Sequence, residues 1–325
     1  MSRLLTTVSA FTLVLGSSAA ADAPSVVADI APIHSLVAKV MDGIGEPKLI
    51  VPNETSPHDY RLRPADAEAI ENANMIFWMG EGLTPWMGRA LEALGSDTNV
   101  VEFLNLEETA LLSYREGALF EAHDHSDHDD HDDHDDHDHD KDHDDHDDHD
   151  DHDHGEFDPH AWLSTNNAKV WLNEIAAKLS TIDPDNAGTY FANANEAKAE
   201  IDNLNIEINQ TLDPVRGGKF IVFHDAYQYF ETTFEFSASG AISLGDASDP
   251  SAARIAEIAE RIEKENISCV LSEPQFNAGL VQTVMGNTKA ATEVIDPLGF
   301  GIEPGPELYN KLIRNMAQTL VNCLK

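Results

Sequence analysis

Short apolar runs alternate with helical stretches along this chain, and no other feature restricts its fold as much. SVVADI (25–30) reads as a strand, IHSLVAKVMDG (33–43) as an amphipathic helix and KLIVP (48–52) as the next strand. PADAEAIENA (64–73), opened by Pro64, is a helix, MIFWM (75–79) a buried strand, PWMGRALEALG (85–95) a helix and NVVEFL (99–104) a strand. After an interruption, STNNAKVWLNEIAAKLSTI (164–182) has a capped start and helical apolar periodicity. A second series follows, with strands KFIVF, FSASGAISL, SCVLSE and TEVIDP and helices over 250–266, 277–286 and 304–325. Between the series, AGTYFANANEAKAEIDNLNIEINQTL (187–212) carries its apolar residues on one stripe only. Strands alternating with helices imply parallel β-α units. The expected fold is α/β: two β-α lobes joined by a single long rigid helix. Ligand should bind in the interlobe cleft, because open α/β sheets bind beyond the carboxyl ends of their strands.

The start of the chain sets the compartment. Arg3 is a positive n-region, Leu4 to Gly16 a short apolar h-region, and Ala19-Ala20-Ala21 a small-residue cleavage site. No Cys follows the h-region to carry a lipid, and no later run of about 20 apolar residues could span a bilayer. The expected product is a free periplasmic protein and a monomer. The division is a signal peptide at 1–21, an N-terminal lobe at 22–183, a linking helix at 184–213 and a C-terminal lobe at 214–325. Net charge is −39, of which the window 122–154, with eighteen Asp and one Lys, supplies −17. The remaining −22 still argues against nucleic acid and against insertion into an anionic membrane. Cys269 and Cys323 are the two cysteines. Export favours a disulfide between them; the rival reading, a two-thiolate metal site, has poor spacing.

Sixteen histidines are present, and twelve fall in one run at 123–154: His123, His125, His128, His131, His134, His137, His139, His143, His146, His149, His152 and His154. The other four are His34, His58, His160 and His224. His58 follows strand KLIVP, His160 leaves the insertion in EFDPHAWLS, and His224 ends KFIVFH. Three imidazoles from three strand-end loops can meet in one cleft, and neutral imidazole suits Zn²⁺. A lone loop histidine is more often merely hydrogen-bonded or solvated; three at equivalent places shift that balance. His34, inside the first helix, reads as a surface or packing residue and not as a ligand. Asp59 and Asp225, each following one of these histidines, read as carboxylates that orient their surroundings.

PHDYRLRP, DPHAWLS, VFHDAYQYF, SEPQFN and IDPLG, in that order, resemble the periplasmic metal-binding proteins of bacterial zinc ABC importers, the ZnuA-like members of the cluster A-I solute-binding proteins. The resemblance covers nearly the whole chain after the signal. It implies the helix-linked two-lobe fold, zinc as the transported ligand, and a membrane permease as partner. It also implies ligands at His58, His160 and His224, with Asp296 or a water in the fourth position, and a disulfide at Cys269 and Cys323. Manganese members carry a carboxylate where this chain has His224, and some zinc members carry Glu where it has Pro57. Rival readings are a manganese-binding, adhesin or zinc-chaperone member of the same scaffold. A zinc hydrolase is a further rival, against which stands the absence of HEXXH and of a nucleophile elbow.

The His/Asp run has no apolar residue to bury and dense like charge, so an insertion disordered over 122–155 is expected. Many equivalent donors then mean several weak, exchanging ions. Its expected role is an auxiliary zinc antenna feeding the cleft, or a buffer or sensor.

Overall fold

The computed structural model describes residues 23–94, 99–115, 120, 157–243, 250–276, 278–286 and 288–325. The signal at 1–21 and the twelve histidines of the run lie outside the described residues. In the N-terminal lobe, β1 (Val26–Ala28), β2 (Lys48–Leu49), β3 (Met75–Trp78) and β4 (Asn99–Glu102) form one parallel sheet in the order β2-β1-β3-β4. The helices α1 (Ala31–Val40), α2 (Pro64–Glu71) and α3 (Pro85–Leu94) connect these strands, and α4 (Thr165–Ile182) follows. Every residue of β1 and β3 is buried, as expected of central parallel strands covered on both faces.

The 26-residue α5 (Ala187–Leu212) leads into the second lobe. There β5 (Phe220–His224), β6 (Ala241–Ser243), β7 (Cys269–Ser272) and β8 (Ala291–Val294) repeat the arrangement, parallel and in the order β6-β5-β7-β8. Its helices are α6 (Gln228–Phe234), α7 (Ala252–Glu265), α8 (Ala278–Met285) and α9 (Leu308–Leu324). Sequence reading did not anticipate α6, a seven-residue helix whose Tyr229, Phe230, Glu231 and Phe234 are all buried.

The linking helix does not act alone. Tyr190, Ala194, Ala197, Ile201, Leu204, Ile208 and Leu212 form its single buried stripe, at spacings of three and four. Helix α9 returns from the second lobe to pack along α5 and α1, and one apolar core runs through both lobes. Polar ties follow the same seam. Lys39 of α1 meets Glu200 of α5 at 2.7 Å and Glu307 at 2.8 Å. Ser35 Oγ accepts from the Tyr309 backbone N–H at 2.9 Å, and the Asn53 amide donates to the carbonyls of Gly299 and Ile302. His34 belongs to this packing: it is buried, with Nε2 at 3.0 Å from the Pro47 carbonyl, and is not at the surface.

Cys269, at the start of β7, is bonded to Cys323 near the end of α9, across a separation of 54 residues. The bond ties the returning helix to the second sheet. Closing a loop of that length is worth about 4 kcal/mol in the chain-entropy view. Cys323→Ala should therefore lower the guanidinium denaturation midpoint, with a loss of about that size. Reducing the unsubstituted protein should reproduce the effect.

Candidate metal centre

Both sheets change winding direction between their two central strands, which opens a crevice at the carboxyl ends of β1 and β3 in one lobe and of β5 and β7 in the other. The two crevices are filled differently. In the first, the buried carboxylate of Asp29 accepts from the backbone N–H of Ile30 and of Met79, both at 2.8 Å. Burial pushes that carboxyl up to about 7, against the pull of those N–H groups. In the second, His224 ends β5 and Glu273 follows β7, and His224 Nδ1 lies 2.7 Å from Glu273 Oε1. Phe276 closes over the same imidazole, ring centroids 5.3 Å apart.

His160 reaches the cleft from the opposite lobe. Its loop runs into the start of α4, and its Nδ1 lies 2.7 Å from Asp158 Oδ1, which also accepts its backbone N–H at 2.9 Å. A carboxylate at Nδ1 places the ring proton there, so Nε2 presents its lone pair. Both histidines are held this way. Their Nε2 atoms face each other across the lobe boundary at 3.4 Å, and both rings are buried. Nitrogen ligands about 2.0–2.1 Å from a tetrahedral ion stand roughly 3.3–3.4 Å apart. The spacing is one edge of such a tetrahedron.

His58 lies in the turn after β2, half-buried, with its ring centroid 5.8 Å from that of His160. Its loop is pinned on the near side by Trp86 Nε1, which donates to the Pro57 carbonyl at 2.9 Å. One cavity is lined by His58, His160 and Trp162 of the first lobe and by His224, Glu273 and Phe276 of the second. Among the described residues no three His, Cys, Asp or Glu side chains already form a complete metal-holding group: two imidazoles are in register and the third stands beside them.

Asp296 is not among the described residues that line this cavity, although Pro297 and Leu298 are. Its Oδ1 accepts from the Leu298 N–H at 3.0 Å and from Gln275 Nε2 at 3.4 Å, and burial pushes its carboxyl up. Asp59 is exposed, and the Asp225 carboxylate accepts from Arg115 Nε. The carboxylates that orient the rings are instead Asp158 and Glu273. Asp158, two residues before His160, had a local signal; Glu273 arrives from another strand, 49 residues along the chain from its histidine.

The family described as "Zinc-uptake complex component A periplasmic", ZnuA, matches residues 26–323. The high-affinity zinc uptake system protein ZnuA of Brucella abortus is 46% identical over 314 residues, covering 95% of this chain and 94% of that protein. The protein of the same name from Paracoccus denitrificans is 44% identical over 307 residues, with 94% and 93% covered. A crystal structure of ZnuA superposes with a TM-score of 0.73 at 22% identity, covering 94% of this chain and all of that one, and so supports the fold. With the family matching almost from the first strand to the last helix, the chain belongs to the ZnuA family of periplasmic zinc-uptake components.

Proposed function

We propose that this chain captures zinc in the periplasm with high affinity and hands it to the membrane permease of an ABC-type importer, zinc being cargo and not a resident cofactor. The observation that carries this reading is the pair of Nε2 atoms, one from each lobe, held 3.4 Å apart by two carboxylates. The ion enters the cleft, sheds water and binds His160 and His224 on that edge. His58 closes from its turn as the third ligand, and Asp296 or a water completes the shell. Nitrogen-rich ligation favours zinc over manganese, which prefers oxygen donors. The cleft serves capture and release, with no enzymatic step.

The segment at 1–21 acts as a cleaved signal, the chain carries no lipid, and it works as a monomer; among the described residues no helix is long and apolar enough to cross a membrane. The twelve histidines of the run supplement the cleft as antenna or buffer. The seam packing of α5 and α9 limits metal-linked motion to the His58 turn and a small tilt of the lobes. The permease then distinguishes loaded from empty protein by that small difference.

Deleting 123–154 should leave one tight zinc per chain in a chelator-competed titration; loss of tight binding with the fold intact would place the site in the run instead. Asp158→Asn and Glu273→Gln should each weaken zinc about 10- to 100-fold in the same titration, because each frees a ring to rotate and loses its fixed tautomer. Imidazole binds metal only as the free base, so protons compete with zinc. Affinity should therefore fall as pH is lowered from 7.5 to 5. An isotherm unchanged between pH 7.5 and pH 5 would contradict histidine ligation.

A further inference from the structure

Arg115 lies at the root of the insertion, and nothing in its local sequence marks it. Its guanidinium nevertheless crosses the lobe boundary. Nε donates to Asp225 at 3.0 and 2.9 Å, Nη1 to Glu231 at 2.8 Å, and Nη2 to Glu231 at 3.1 Å and to Asp225. Both carboxylates are about 95% buried, and the ring of Phe120 covers the guanidinium at 3.5 Å. Asp225 is the residue after His224, and Glu231 lies on α6.

The segment that carries Arg115 is bonded to the one that carries His160. Leu112 accepts from the Asp158 N–H at 2.8 Å, and Ser113 bridges Phe157. Tyr229 of α6 joins the same cluster: its hydroxyl accepts from the Leu112 N–H at 3.0 Å and donates to the Asp158 carbonyl at 2.8 Å. The bonds therefore close a circuit: His160 to Asp158, Asp158 to Leu112, along the chain to Arg115, across to Asp225, and back to His224. The remaining gap in that circuit is the distance between the two Nε2 atoms.

We propose that Arg115 is a positioning residue of the metal site, setting the separation of His160 and His224 by clamping the root of the insertion onto Asp225 and Glu231. The inference rests on the zinc-capture reading above. A fork of five N–H donors is required, because two carboxylates must be held in fixed directions at once. A lysine would supply the charge as a single point and could not fix both.

The test uses the mature chain with Zn²⁺ and with Co²⁺ as a spectroscopic probe. Arg115→Lys keeps the buried charge balance, and Asp225→Asn keeps the shape of the turn; both are made. Lys39→Met, which removes the ion pairs of Lys39 with Glu200 of the linking helix and Glu307 of the second lobe, none of which lines the cavity, is the control. Zinc transfer to a chelator should become about tenfold faster or more in both site-side variants. Their cobalt absorption should change in position or intensity, as the tetrahedral field opens. Lys39→Met should lower the melting temperature and leave both readouts unchanged. Wild-type transfer rates and cobalt spectra in Arg115→Lys and Asp225→Asn would overturn the proposal, as would an equal effect of Lys39→Met. A wild-type chain that binds neither ion tightly would overturn the zinc-capture reading itself.

Discussion

Two ring nitrogens with their lone pairs turned toward each other repel unless a proton or a metal ion lies between them. This chain builds that situation and buries it. His160 and His224 cannot relax by flipping, because Asp158 and Glu273 hold the far side of each ring at 2.7 Å. The rest of the structure keeps the two rings from separating. The packing of α5, α9 and α1 fixes one side of the seam, and the contacts of α6 with the 112–115 segment fix the other. Preorganisation of this kind lowers the ordering cost of binding.

The two lobes repeat one topology and use it differently. At the crevice of the first sheet, Asp29 is turned inward, and each of its oxygens accepts a backbone N–H, from Ile30 and from Met79. At the corresponding place in the second sheet, a histidine and a glutamate stand in its stead. The first lobe brings its cavity histidines from later loops instead, His58 after β2 and His160 after β4. The asymmetry makes the site a joint property of the lobes.

Sequence periodicity was enough for the two β-α series and the long helix, because strands buried on both faces and a one-sided helix leave strong patterns. Reading along the chain also brought out His58 and His224, which follow apolar runs, and His160, which sits where the insertion ends. The helix α6 escaped because QYFETTF, at seven residues, is too short to show a period. Glu273 and Arg115 escaped for a different reason. Their roles depend on partners 49 and 110 residues away, a distance at which spacing carries no information. The family resemblance pointed to the cavity histidines but not to these supports.

The bridge between Ser113 and Phe157 has one more consequence. It brings together the two points where the chain leaves the first lobe and where it comes back. With the ends held at a fixed separation, the number of residues between them bears little on the lobe that carries both ends. Doubling such a loop costs only about 0.6 kcal/mol of closure entropy. The length of the histidine tract is thus only weakly coupled to the stability of the lobe that carries it.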